Sequence, residues 1–494
     1  MKIALISYYD SRRFDEYPIT HSLGSMRLAA YLRERHPRWT VRLRAFDERD
    51  WSPARAGEAL LAEGFDVVGV PAYIWTLERS RELTSFLAAA AKAPLVACGG
   101  PETRAMDCSD WPAQTVFVMG QGEEPLTWLC EQRHDDGAFT GLSLAPDLAQ
   151  PLYSSVRDRK GAYRFAVPDR GDRRLPHGIP LFGPEFDELT QGDPVETDFA
   201  WYETARGCIY DCSFCGHNTL PFFATFDLDF VQAEIGHMRD RGIRRLFLID
   251  PILGGKQARG KEILRMFRDL APDIALSAYM RPEFLDEEFV EVLVESNIHE
   301  LLMGLQTTNP NVPKHVRGNH FEKIMKFVPH LAERGVPWRA ELIVGLPGDT
   351  MTGLKESLRF TVEELRPWSV HAYHLTAIPE TKLFELLDRT DEDIWIKADN
   401  RLRVVSASSY DEHELRDMLI YAGAVTSLHS HLRESGTGRP SYGLLDREVE
   451  RILSDPVVHR SARAAFIRMS QDLGRDVWQS YLRWGTAPVM ASAG

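Results

Sequence analysis

Cysteine is scarce in this chain: six among 494 residues, three of them scattered and three inside residues 206–217. So few thiols in so long a chain exclude a disulfide framework, and the local cluster calls for a metal or redox explanation. Long apolar runs are missing too. No stretch approaches the roughly 20 residues that span a bilayer. The opening MKIALISYYD has one lysine and no small-residue cleavage site, so it reads as a first strand and predicts a cytoplasmic protein. Positive charge is in deficit, with 58 basic against 72 acidic residues and a net charge of −14. Without a clustered basic surface, a nucleic-acid backbone is excluded as the main partner. Only 11 of the basic residues are lysine, a skew we read as genome composition. What is present, 44% apolar and 26% charged residues, is an ordinary globular balance, and the length implies two or three domains.

Short apolar runs, each followed by Gly, Pro or polar residues, recur early: KIALIS (2–7), DVVGVPAY (66–73), APLVACGG (93–100) and TVFVMGQG (115–122). Helix-like stretches separate them at 22–36, 54–64 and 78–92. The alternation predicts a Rossmann-like parallel sheet with crossover helices over residues 1–135. Ligands of such sheets sit beyond the carboxyl ends of the strands. Residues 136–195 carry Pro and Gly without periodicity and read as a linker. From 196 to 390 a second series follows, six strands alternating with helices, which predicts a (β/α)6 partial barrel of the TIM type with its active groups at the strand carboxyl ends. Residues 391–494 read as a C-terminal helical domain. The fold class is therefore α/β throughout the first two domains.

The cluster RGCIYDCSFCGH spaces Cys208, Cys212 and Cys215 as C-x3-C-x2-C. A structural zinc site wants four ligands, usually from two C-x2-C pairs, and no second pair exists here. His217 is available only by folding back tightly. A [4Fe–4S] cluster takes thiolate ligands; three of them leave one iron open to chelate a small molecule.

In spacing and in its place after the first barrel strand, the motif resembles that of the radical S-adenosylmethionine (SAM) superfamily. The resemblance implies that the open iron binds the amino and carboxylate groups of SAM and that reductive cleavage yields a 5′-deoxyadenosyl radical. It implies further roles at matching positions: Phe214 beside the adenine, and Asp250 in Ile249-Asp250-Pro251-Ile252 near the SAM amino group, although the usual Gly-Gly-Glu is not found there. Arg281, next to Tyr279, would pair with the SAM carboxylate. Gln306 would bond the ribose hydroxyls, and Gly345 would lie at the adenine contact. His371, Tyr373 and His374 end the sixth strand as candidate polar groups facing the cavity.

Upstream, DVVGVPAYIW, PLVACGGPET and VFVMGQGEEPLTWL resemble the cobalamin-binding domain that precedes the barrel in B12-dependent radical SAM enzymes. The resemblance covers roughly residues 1–390. It implies Tyr9, Tyr73 and Trp75 as walls of the corrin or tail pocket, and Gly99, Gly100 and Gly122 as points of backbone access. No D-x-H-x-x-G motif is present, since His21 lacks the Asp two residues earlier, so the resemblance implies base-off cobalamin with no histidine on cobalt. The implied activity is methylation of an unactivated carbon by way of the deoxyadenosyl radical and methylcobalamin, with flavodoxin or ferredoxin as electron donor. A radical rearrangement, cyclisation or oxidation with the same cofactors stays open. A natural-product or peptide substrate is what the group suggests; lipid and tetrapyrrole precursors stay open as well.

Overall fold

The computed structural model describes residues 1–13, 20–104, 110–131, 154–157, 163–166, 174–190, 198–219, 223–313, 321–379, 381–399, 402–435, 438–457 and 460. It contains two compact units, Met1–Arg206 with Ala224–Phe247, and Gly207–Phe223 with Leu248–Gly494. The tail expected to be helical beyond residue 460 lies outside the described residues, as does most of 136–195.

The first unit begins β1 (Lys2–Tyr9), α1 (Leu23–Arg35), β2 (Thr40–Asp47), α2 (Pro53–Glu63), β3 (Val67–Pro71), α3 (Leu77–Ala88), β4 (Leu95–Gly99), β5 (Val116–Met119) and α4 (Glu123–Glu131). Two further strands, β6 (Ser154–Arg157) and β7 (Tyr163–Ala166), complete a sheet of order β2-β1-β3-β4-β5-β7-β6. All pairings from β2 to β7 are parallel and the last is antiparallel. The run 2-1-3-4-5 reverses direction between β1 and β3, the switch point at which doubly wound sheets hold ligands. Strand β2 is invisible to a search for unbroken apolar runs, because it is an edge strand. Its Val41 and Leu43 are buried while Arg42 and Arg44 alternate with them half-buried. Local signals set the helices: Ser52 caps α2 through the Arg55 amide, Pro53 opens it and Gly64 closes it in the left-handed region, the arrangement that satisfies both ends of a helix.

The unit continues through β8 (Phe199–Tyr202), the short pair β9 (Ala205–Arg206) and β10 (Ala224–Thr225), α5 (Leu228–Arg241) and the start of β11 (Arg245–Leu248). The second unit has α6 (Gln257–Leu270), β12 (Ala275–Met280), α7 (Glu287–Glu295), β13 (Ile298–Gln306), α8 (Phe321–Glu333), β14 (Trp338–Val344), α9 (Met351–Phe360) and β15 (Ser369–His374). The second sheet runs β15-β14-β13-β12-β11-β8, six strands in sequence order, as a (β/α)6 partial barrel requires. Past β15, a two-stranded ribbon of β16 (Ile396–Ala398) and β17 (Val404–Ala407) interrupts a region expected to be helical. Then come α10 (Glu412–Glu434), opened by a reciprocal cap between Asp411 and Glu414 and packed on β15, and α11 (Tyr442–Leu453).

Within the first unit, four buried charged side chains and the half-buried Arg206 form one network. Arg27 of α1 pairs with Glu203 at 3.4 Å and with Glu234 of α5 at 3.2 Å. Its guanidinium lies 4.4 Å from the Phe226 ring and 5.0 Å from Tyr202. Arg206 grips Glu203 through two nitrogens, at 2.9 and 2.6 Å, and reaches Glu123 at 2.6 Å. Two guanidiniums therefore serve three carboxylates. Burial pushes Glu203 up, yet Arg206 and Arg27 hold it below the usual range. For Glu234 burial wins and the carboxyl is raised, although the Leu181 and Phe182 amides also donate to it.

Removing one member of such a set leaves an uncompensated buried charge, which costs about 3–5 kcal/mol. Arg27→Met is expected to lower the unfolding free energy by about that amount in urea titration, with Glu234→Gln added in the same chain restoring part of it. A loss under about 1 kcal/mol for Arg27→Met would contradict this account of the network.

Candidate active site

The cysteine loop begins directly after Arg206. Cys208, Cys212 and Cys215 are all half-buried and free of disulfides, and Phe214 is half-buried between the last two. The Cys215 amide donates to the Cys212 carbonyl at 3.1 Å, and the Tyr210 amide points at Cys208 Sγ at 3.4 Å. Downstream chain closes over the loop: the Leu383 amide donates to the Ser213 carbonyl at 2.9 Å, and Lys382 pairs with Asp211. Among the described residues, no group of three or more His, Cys, Asp or Glu converges on one metal ion. Zinc needs that convergence, its thiolates all lying about 2.3 Å from one centre. A cubane does not, because each thiolate binds a separate iron at its own corner. Three partly open sulfurs with N–H donors aimed at two of them fit a [4Fe–4S] cluster, and the exposed His217 is not needed.

Arg281 lies over this loop. Its Nη1 points at Cys212 Sγ at 3.6 Å, and its guanidinium stands 3.9 Å from the Tyr210 ring centre. Its Nε and Nη2 are both taken by Glu283, at 3.1 and 2.9 Å. The edge that a carboxylate from SAM would use side-on is therefore already filled. Asp250 is fully buried, and one of its oxygens accepts the Gly254 amide at 3.1 Å. Gly254 and Gly255 both have positive φ, and a Cβ on Gly255 would come within 2.1 Å of Phe223. A Gly-Gly pair thus does follow β11, four residues later than expected, with Asp250 holding its turn. Gln306 sits at φ 66 beside a register shift in β13, an uncommon conformation for a side-chain-bearing residue that tends to mark functional positions. Its carboxamide covers Gly304, where a Cβ would meet Gln306 Nε2 at 2.2 Å. Gly345, at φ 98, is packed beneath Leu415 and donates no open surface, its carbonyl accepting the Tyr410 hydroxyl.

Strands β12 to β15 have one apolar face, with Ala278, Met303, Ala340, Leu342 and Val370 buried. Their other face is charged. Parallel sheets covered on both sides are normally apolar on both; here Leu302 and Ile343 share the face with charged and polar side chains. Arg339 pairs with Glu300, which also accepts from Ser369 at 3.2 Å. Glu341 lies opposite Gly304 on one side and His371 on the other. Tyr373 donates to Glu341 Oε1 at 3.2 Å and lies 3.4 Å from His371 Nδ1. Burial pushes Glu341 up to about 6 and, with Arg339 nearby, His371 down to about 3. His374 plays a different part: its Nε2 is fixed on the Val404 carbonyl at 2.6 Å. Arg339 and Glu341 were not singled out from the sequence, yet RAELIV carries the signal, two charges two residues apart in an apolar strand.

In the first unit, parallel register brings the ends of β1, β3, β4 and β5 to one edge. Tyr73 stacks on Trp75 with ring centres 4.9 Å apart, and Trp75 is 37% exposed. The Tyr73 hydroxyl approaches Gly24 of α1, where a Cβ would lie 3.2 Å from it. Tyr9 is half-buried at the end of β1. Of the three candidate glycines only Gly100 is sterically obliged, with φ 136 and the Ala72 carbonyl oxygen 2.6 Å from a hypothetical Cβ. Gly99 has room for a side chain, and Gly122 sits close to Leu28. His21 is buried.

With this geometry in place, the likenesses to known proteins are informative. Residues 202–361 match the radical SAM superfamily. The chain is 25% identical over 389 residues to 2-(S-pantetheinyl)-carbapenam-3-carboxylate methyltransferase of Streptantibioticus cattleyicolor, covering 73% of this chain and 54% of that protein. It is 24% identical over 338 residues to the cobalamin-dependent radical SAM methyltransferase TokK of Streptomyces tokunonensis, covering 64% and 48%. The chain spans about half the length of these curated relatives. Among solved structures, the cobalamin-dependent S-adenosylmethionine radical enzyme OxsB, with aqua-cobalamin and SAM bound, shares the fold at a TM-score of 0.66 and 14% identity, over 98% of this chain and 75% of that one. The radical SAM methyltransferase TsrM of Kitasatospora setae, with tryptophan and a SAM analogue, does so at 0.60 and 20%, over 77% and 74%. The chain therefore carries a radical SAM domain at residues 202–361, an enzyme domain whose cofactors are a [4Fe–4S] cluster and SAM.

Proposed function

We propose that this chain is a cobalamin-dependent radical SAM methyltransferase that methylates an unactivated carbon of a natural-product or peptide substrate. The observation that carries the reading is the switch-point edge of the first sheet, lined by Tyr9, Tyr73, Trp75 and the obligatory Gly100, upstream of a three-cysteine loop in the same chain. The relative TokK, named as a cobalamin-dependent radical SAM methyltransferase, supports it. When bound, the cofactors supply the reactivity: SAM on the reduced cluster is the source of a 5′-deoxyadenosyl radical, and cobalamin carries the methyl group.

The protein's own work is placement. Cys208, Cys212 and Cys215 hold the cluster, with Phe214, Asp250 and Gln306 around SAM. Aromatic faces at Tyr73 and Trp75 hold the corrin or its tail, while Gly99, Gly100 and Gly122 keep the backbone accessible. The charged inner face receives the substrate. There Glu341 Oε2 accepts from none of the described residues, so it favours a substrate that presents a hydrogen-bond donor. A reductant of the flavodoxin or ferredoxin class would deliver the electron. No helix among the described residues is long and apolar enough to cross a membrane.

Alanine at any one of Cys208, Cys212 or Cys215 is expected to abolish both iron loading and 5′-deoxyadenosine formation in the reduced, anaerobic enzyme; retention of both would overturn the reading. With SAM bearing a deuterated methyl group, the product should gain that labelled methyl, whereas loss of hydrogens alone would mean cyclisation or oxidation. Glu341 gives a pH test. Its folded pKa of about 6 exceeds the ordinary 4.5, so the native state binds the extra proton between those values and loses stability as pH rises through them. Glu341→Gln should be more stable than the parent by about 2 kcal/mol above roughly pH 6.5, with the gap closing toward about pH 5. Melting temperatures at matched cofactor content check this, and a gap independent of pH would contradict it.

A further inference from the structure

We propose that Arg281 acts on the cluster itself, donating to the Cys212 thiolate and raising the cluster's reduction potential, and that the SAM carboxylate is read elsewhere. The inference rests on the three cysteines holding a [4Fe–4S] cluster. Three contacts fix the guanidinium: the two-point grip of Glu283, the face of Tyr210 at 3.9 Å, and Cys212 Sγ at 3.6 Å from Nη1. The grip and the ring hold its plane, and the remaining nitrogen is the one directed at sulfur. Arg281 and Glu283 are each 8% exposed, so water screens this field poorly and a single charge there counts for more than it would at the surface.

Reduction adds an electron to a cluster already ligated by three thiolates. A cation donating to one of those sulfurs stabilises the more negative, reduced state, and hydrogen bonds to sulfur are among the main controls on cluster potential. Glu283 orients Arg281 and opposes it, since a carboxylate near the cluster disfavours the added electron. The two residues are positioning residues with opposite electrostatic signs. A pair that served only to brace the loop would have no such sign.

The test is an EPR-monitored redox titration of the full, anaerobically reconstituted chain without SAM, with iron content matched between variants. Arg281→Gln should lower the ratio of reduced to oxidised cluster at a fixed potential about tenfold, equivalent to about 59 mV for a one-electron couple, with Arg281→Lys falling between it and the parent. Glu283→Gln should move the ratio the other way. SAM affinity of Arg281→Gln, measured by equilibrium dialysis, should stay at the parent value. An unchanged potential together with a tenfold loss of SAM affinity would assign Arg281 to the SAM carboxylate and overturn the proposal. Shifts of the same sign in both variants would overturn it as well. Should Arg281→Gln lose iron, Glu283→Gln carries the test, because a bracing role predicts no upward shift there. Cysteine variants that still form 5′-deoxyadenosine would instead remove the cluster premise.

Discussion

Keeping three thiolates apart in one short loop, open on one side, is the constraint on which the second unit's chemistry depends. Left alone, such sulfurs repel as thiolates or oxidise as thiols. Here backbone N–H groups, the Arg281 guanidinium and the returning segment around Leu383 hold the loop from several directions. The chain leading into it is held just as firmly, because Arg206 is bound to Glu203 and Glu123 inside the first unit.

The inner face of β12 to β15 is the other place where the molecule departs from ordinary packing. Arg339, Glu341, His371 and Tyr373 occupy positions that a filled barrel would give to branched apolar residues. Burial raises Glu341 to about 6 and, with Arg339 nearby, lowers His371 to about 3, so the imidazole is neutral near pH 7 while the carboxyl is only partly protonated. In the first unit the Tyr73–Trp75 stack and the tight Gly100 turn lie at the carboxyl ends of the strands.

How much of this was legible beforehand follows from sequence distance. The cysteine spacing is a local property, and so are the Gly-rich strand ends and the helix caps; all can be read from a dozen residues. The alternation of strands and helices gave the layers for the same reason. Strand β2 escaped because edge strands alternate polar and apolar residues, and β16 with β17 escaped because a short ribbon has no periodicity to show. The Glu341–Tyr373–His371 contact needed the register between β14 and β15. Arg281 is the clearest instance: the resemblance implied a SAM contact, and the fold adds what no short window shows, that Glu283, two residues on, takes Nε and Nη2 while Nη1 points at Cys212.

The central claim is that one chain holds both an iron–sulfur cluster and a corrinoid. Metal and sulfide analysis of the full chain, expressed with cobalamin uptake and purified without oxygen, addresses it most directly. The account predicts about four irons and four sulfides per chain together with one cobalt and corrinoid absorption bands. Iron and sulfide without cobalt would reduce the first unit to a scaffold, and zinc in place of iron would contradict the account altogether.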